Sequence, residues 1–304
     1  MILVWLLAAL ALVPLISLPL TGRIGRRTGY PLGIVFLLIA AALVPTARDV
    51  VGGTPVTFSA PWVPGLGLEL GLRLDGLSLV FIALALVIGA LVFLYSPTYF
   101  QSGTQRGFYL IMSGFTFSMV AFVLSDDLVL MFLTWELTSL ASFLLIARSG
   151  QAGEPASMRT MLMTFVGGLT LLAAVGLTIT RTGTTDFSSA MASDVWQTDP
   201  GFTAVVAVLV AIAGFSKAAQ FPFHIWLPDA MAASTPVSAY LHAAAVVKAG
   251  IYLLMRFTAI FHGVPIWTLL LVGVGLFTTC LGAWFALQQT DLKKLMAYST
   301  VSQL

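Results

Sequence analysis

Charge is what this sequence lacks most. Of 304 residues, 14 are lysine or arginine and 12 are aspartate or glutamate, 9% in all; ordinary soluble proteins carry about a quarter. So few charges cannot cover a water-facing surface. A chain that is 59% hydrophobic, with a mean hydropathy of +1.01, is no candidate for disorder either. The net charge of +2 gives no reason to expect a nucleic-acid partner. One cysteine, Cys280, permits neither an internal disulfide nor a thiolate metal cage. The three histidines, His224, His242 and His262, do not form a metal-ligand spacing, and glycine-rich phosphate loops and Ser–His–Asp arrangements are absent. No cofactor is expected. What remains is an all-α, polytopic membrane protein.

A membrane helix needs about 20 mostly apolar residues. Nine such spans are expected, at Ile2–Leu20, Tyr30–Thr46, Leu77–Pro97, Phe108–Leu124, Leu128–Ala147, Ser157–Thr180, Gly201–Phe221, Thr235–Arg256 and Val264–Leu287, with a tenth opening at Asp291. The first has no basic leader and no small-residue cleavage site, so it reads as a retained helix and not a signal peptide. Alternate loops hold Arg23, Arg26, Arg27, Arg106, Arg148, Arg159, Lys293 and Lys294. The other set holds Arg48, Arg73, Arg181 and Arg256 among many more carboxylates. The positive-inside rule then puts the N-terminus outside, in a cell (plasma) membrane. The long outer loop around Ala47–Leu74 is rich in Gly and Pro and alternates in Pro55–Ser59 and Leu66–Leu72, which suggests a short β-hairpin. The Thr182–Pro200 loop is polar and unpatterned.

Removing the loop charges leaves Glu136, Lys217, Asp229 and Lys248 in the spans, with His224 and His242. An intramembrane charge costs several kcal/mol and is usually paired or lines water, so a functional role is the default and a structural ion pair the competitor. Glu136 is about 13 Å into the fifth span, with Thr134, Thr138, Ser139 and Ser142 offering hydroxyls to the carboxylate or to water. It either serves transport or locks two helices together. Lys217 precedes Pro222 and Pro228, which interrupt the helix; broken helices at membrane depth mark ion sites in transporters. A snorkelling lysine is the weaker reading there. Lys248 is central in the eighth span, and His242, six residues earlier, projects roughly 120° away on an ideal helix. His224 follows the break and could relay protons from the inner water, or be an ordinary buried histidine. Asp229 caps or anchors the second half-helix. Asp126 and Asp127 read as a solvated loop pair, although an acidic pair there could gather cations. The titratable row at one depth suits proton transfer, because each group's proton affinity depends on its neighbours.

The motifs RLDGLSLVF (Arg73–Phe81), TWELTSLASFLLI, FPFHIWLPDAM followed by STPVSAYLH, VVKAGIYLL, and DLKKLMAYSTVSQL resemble those of one family. These are the antiporter-like membrane subunits shared by complex I and the multisubunit Mrp-type sodium/proton antiporters. WELTSL and VVKAG make the chain most similar to the large A subunits of the latter. The resemblance implies that Glu136 and Lys217 form an ion pair at a broken seventh helix, and that Lys248 and His242 continue the proton path. It also implies three units: helices 1–3 with the outer hairpin loop (1–106), a first repeat of helices 4–8 (107–260), and the start of an incomplete second repeat (261–304). Leu304 falls inside the last motif, so a truncated product or a fragment of a longer subunit is expected.

Three functions compete. The first is a proton-translocating subunit of a multisubunit antiporter, exchanging cytoplasmic Na+ for external H+ under the proton-motive force; its partners are other membrane subunits, protons, Na+ and the lipid bilayer. The second is a proton-pumping membrane arm of a complex I-like or hydrogenase-like oxidoreductase. The third is a scaffold whose charges only hold helices together. The Glu136 and Lys217 side chains are expected within about 7 Å of each other, directly or through one water, since an opposite partner offsets part of the cost of burial.

Overall fold

The chain folds as a bundle of apolar helices whose ends are set by aspartates. The computed structural model describes residues 1–66, 68–101 and 105–304. α1 (Ile2–Ile24) and α2 (Gly29–Ala42) are joined by a 3-10 turn at Gly25–Thr28, and α3 (Val44–Val51) follows. Gly25 takes a left-handed φ of 58° there, which glycine adopts without steric cost. Next come α4 (Gly76–Tyr99), α5 (Arg106–Leu124), α6 (Leu128–Ala147) and α7 (Gly153–Thr182). The Thr182–Pro200 segment, featureless in sequence, contains two short helices, α8 (Phe187–Met191) and α9 (Val195–Thr198). The chain closes with α10 (Pro200–Lys217), α11 (Trp226–Asp229), α12 (Thr235–Tyr240), α13 (Val246–Phe261), α14 (Pro265–Leu287) and α15 (Leu292–Gln303).

Asp75, Asp127, Asp186, Asp199 and Asp291 each accept a hydrogen bond from the backbone amide three residues on, capping α4, α6, α8, α10 and α15. A capping carboxylate satisfies an amide that the helix itself leaves open. Seven stretches are long and apolar enough to cross a membrane, the first being the whole α1–α3 stretch, Ile2–Val51. Counting α1 and α2 separately, and adding α12–α13 and α15, gives the ten helices expected among the described residues, with α10–α11 as the broken seventh.

The expected outer hairpin forms as two nested antiparallel pairs. β1 (Val56–Phe58) pairs with β4 (Leu72–Leu74), matching Val56 with Leu74, and inside it β2 (Pro61–Val63) pairs with β3 (Leu68–Glu69). A bridge from Leu72 to Ser125 ties the hairpin to the end of α5.

Helices pack closely where side chains are missing. Gly29 of α2 lies on the Phe93 carbonyl and Pro97 of α4. A Cβ on Gly250 of α13 would come within 2.5 Å of the Gly214 carbonyl oxygen and 2.6 Å of the Ala218 amide of α10. Small residues allow such backbone approach in membranes, where burial of apolar surface gives little drive for association. The Gly250 contact presses the Lys248 turn of α13 against the end of α10.

Candidate functional site

α10 stops at Lys217, and its loose main-chain groups are taken up one by one. Ala219 adopts a left-handed φ of 51°, and 3-10 turns at Phe223–Ile225 and Ala230–Ala232 flank α11. The Ser216 carbonyl accepts from the Trp226 indole at 2.8 Å, and the Ala218 carbonyl from the Gln220 side chain at 3.1 Å. The Phe221 amide donates to Thr278 Oγ1 of α14 at 3.0 Å. A helix can break at membrane depth only if its freed amides and carbonyls find partners inside the protein.

Lys217 is fully buried. Its ammonium donates to the Trp135 carbonyl and to Thr138 Oγ1, both at 2.5 Å, and lies 3.8 Å from the centre of the Trp135 ring. Those partners flank Glu136 on α6. The Glu136 carboxylate is the charge that acts on Lys217, yet no direct ion pair joins them among the described residues. Glu136 Oε1 is buried without a hydrogen-bond partner. The carboxylate rests on Gly168 of α7, where any Cβ would collide with it, and beside it Gly167 leaves room for Ser216. It also lines an apolar groove of about 450 Å³ between α6 and α7, with Leu137, Ser139, Met161 and Phe165.

The hydroxyls expected to serve Glu136 do not reach it. Thr134, Ser139 and Ser142 donate to carbonyls of their own helix, as Thr138 does before accepting from Lys217. A short hydroxyl side chain in a helix finds the carbonyl one turn back more easily than a neighbour's carboxylate.

His242 sits in a π-helical turn, Leu241–Ala245, between α12 and α13. It is buried, neither ring nitrogen has a partner, and the ring lies 6.0 Å from that of Trp226. The π turn changes the residue count per turn, so the 120° offset from Lys248 expected for an ideal helix does not hold. His242 comes near the Lys217 turn by way of Trp226, whose indole holds the Ser216 carbonyl. Lys248 is half-buried and makes no hydrogen bond or ion pair among the described residues. His224 is buried between the rings of Phe221 at 5.9 Å and Phe285 of α14 at 6.3 Å, with Nδ1 unpartnered. Asp229 anchors α11 and does not cap it, pairing with Arg159 of α7 at 2.7 Å.

The solvated loop pair expected at Asp126 and Asp127 is instead buried. Asp127 caps α6. Asp126 accepts from Ser188 at 2.8 Å, and Ser188 in turn accepts from Arg73 at 2.9 Å. Arg73 and Arg256 both pair with Asp75. Burial raises the Asp126 carboxyl above the usual carboxylate range, and Ser188 only partly offsets it. Burial also pushes Asp75 up, but the Ser78 amide and Arg256 outweigh it and hold that carboxyl below the usual range. A helix end tucked under a hairpin buries residues that loop composition alone marks as wet.

Trp135, Gly168, Trp226 and Thr278 belong to the site without being candidates from sequence. The adjacent glycines 167 and 168 in an apolar span are the available signal for a close approach; the other three read as ordinary core or helix residues.

Known proteins resemble this chain in sequence and in fold. Residues 125–304 match the family model described as NADH:quinone oxidoreductase/Mrp antiporter, transmembrane, and residues 62–109 match that of the NADH-ubiquinone oxidoreductase (complex I) chain 5 N-terminus. The chain is 40% identical to the A subunit of the Na(+)/H(+) antiporter of Alkalihalophilus pseudofirmus, over 95% of this chain and 37% of that protein. It is 38% identical to the putative antiporter subunit mnhA2 of Staphylococcus haemolyticus, over 100% and 39%. It thus spans well under half the length of these relatives. A chain of the Mrp complex from Dietzia sp. DQ12-45-1b superimposes with a TM-score of 0.95 at 48% identity, over 100% of this chain and 33% of that one. A chain of the membrane-bound sulfane sulfur reductase, an archaeal respiratory membrane complex, shares the fold with a TM-score of 0.82 at 24% identity, over 97% and 49%. With its broken helix, and with more than half its length inside the family model, the chain belongs to the NADH:quinone oxidoreductase/Mrp antiporter transmembrane family.

Proposed function

We propose that this chain forms the first proton-handling half of a secondary transporter subunit, in a complex that exchanges cytoplasmic Na+ for external H+ under the proton-motive force. The observation that carries this reading is a fully buried lysine at a helix break, held by neutral dipoles next to a half-buried carboxylate. A buried lysine releases its proton readily, and its proton affinity follows the charge of a neighbouring carboxylate. Lys217 and Glu136 are the switching pair, His242 and Lys248 lie onward, and His224 faces the α14 side of the break. The relatives named as antiporter subunits support Na+/H+ exchange; the other membrane subunits of that complex are the partners. We retain the division at 1–106, 107–260 and 261–304, a plasma-membrane location and an outside N-terminus as parts of the proposal.

The test uses vesicles containing the whole complex. Sodium should collapse an imposed pH gradient, and Glu136→Ala or Lys217→Ala should abolish that collapse while the complex stays assembled. Unchanged collapse in either variant refutes the assignment of that residue.

A second reading, the proton-pumping arm of an oxidoreductase, is favoured by one observation: the matching family description covers both kinds of complex. It predicts gradient formation driven by a reductant and indifferent to sodium, in the same vesicles.

A further inference from the structure

The stretch that follows the helix break ends over a pocket of about 330 Å³, between the first turns of α7, the end of α11 and the start of α15. Arg159, Lys293 and Lys294 supply three cations, and Asp229 and Asp291 two carboxylates. Both carboxylates are engaged, Asp229 with Arg159 at 2.7 Å and Asp291 with the Lys294 amide at 3.0 Å. Lys293 donates to the Ala233 carbonyl at 3.1 Å, whereas the Lys294 ammonium has no partner among the described residues. The rest of the wall is apolar, including Pro155, Pro228 and Met231. A second pocket of about 280 Å³ shares Ala232 with the first and adds Arg148.

The same side of the molecule offers a path for an acyl chain. On α7, Leu162 and Val166 follow Arg159 at three and seven residues, hence on one helix face, and are 58% and 44% exposed. They run from the pocket towards the middle of the span. A cationic concavity that shares a helix face, through Arg159, with an exposed apolar stripe has the two-part chemistry of a phospholipid, and basic pockets between transmembrane helices take anionic headgroups.

We infer that this pocket binds the headgroup of an anionic glycerophospholipid, with the phosphate on Arg159 and Lys294 and an acyl chain over Leu162 and Val166. Three cations against two engaged carboxylates leave a positive surplus that a zwitterionic lipid, carrying its own ammonium, does not need. Free phosphate would ignore the stripe. Because the phosphate competes with Asp229 for Arg159, occupancy loosens the tie between α7 and the short helix beyond the break. The inference is independent of whether the chain moves protons.

The experiment takes the intact complex containing the full-length subunit, purified in detergent, and counts retained lipids by native mass spectrometry after adding phosphatidylglycerol, phosphatidylcholine or inorganic phosphate. Phosphatidylglycerol should be retained in preference to phosphatidylcholine, and inorganic phosphate should not displace it. Lys294→Gln should weaken that retention about five-fold, and Lys293→Gln with Lys294→Gln more, at about five-fold per cation. Lys294→Arg should restore it. The Lys294 ammonium has no partner among the described residues, so its loss should leave assembly intact, as size-exclusion chromatography would verify. Equal retention of phosphatidylcholine, displacement by inorganic phosphate, or unchanged phosphatidylglycerol retention in the double variant would each overturn the inference.

Discussion

Lys217 bonds the main chain of Trp135 and not the carboxylate of Glu136, one residue further along the same helix. The lysine is thereby held in place without being neutralised by contact. A proton-transfer role needs that separation, because a locked pair would fix both charges.

Lys217→Arg should leave the complex assembled but impair exchange. Arginine retains its proton in the working pH range, so it cannot take part in proton release. Sodium-driven pH-gradient collapse in vesicles measures this; a normal rate in that variant would falsify proton release by Lys217.

Gly168→Ala should displace the Glu136 carboxylate, since the added Cβ collides with it. Overpacking of this kind costs about 1–3 kcal/mol, so the variant should assemble with a lowered thermal midpoint and exchange slowly. Gly176, whose Cβ would meet nothing within 4 Å, is the control: Gly176→Ala should not lower the midpoint, since alanine favours the helix, and should leave the rate unchanged.

Thr278→Val should destabilise the break. It removes the acceptor of the Phe221 amide, and a buried unsatisfied donor costs about 1–3 kcal/mol. Thr278→Ser keeps the hydroxyl and should behave as wild type in thermal unfolding.

Asp126→Asn should stabilise the complex in a pH-dependent way. Ser188, Asp186, Arg73 and Arg256 are the groups that act on Asp126, and burial dominates them, raising its carboxyl. A raised folded pKa contributes stability at low pH that is lost as pH rises through it. Above that point the wild type carries a buried charge that asparagine lacks, while the amide oxygen still accepts from Ser188. The thermal midpoint of the variant should exceed wild type at neutral pH, with the gap closing towards the acid side. A gap that widens on acidification would refute the assignment.

Much of this is legible in the sequence, for physical reasons. The spans follow from apolar length; the caps at their starts, Asp75, Asp127 and Asp199, read in the sequence only as loop charges, although a capping side chain acts within three residues. The break at Lys217 follows from Pro222 and Pro228. The partners of the break do not follow. Thr278 and Trp226 meet it from 57 and 10 residues away in sequence, and a threonine or tryptophan in an apolar run carries no mark of such a role. The burial of Asp126 and Asp127 does not show in the sequence, because charge alone says nothing of the hairpin folded over them. The π turn at His242 is equally hidden, since its residues suit an α-helix as well.

The cradle around Lys217 is made of a carbonyl and a hydroxyl, neither of which carries charge. If Lys217 gives up its proton, as proposed, no counter-ion is stranded against the amine, whose two remaining N–H groups suffice for the Trp135 carbonyl and the Thr138 hydroxyl, while Thr138 keeps its own bond to Trp135. The two protonation states then occupy nearly the same positions of the heavy atoms. In the proposed cycle, passing between them calls for no movement of a helix, and burial together with the neighbouring carboxylate of Glu136 sets which state prevails.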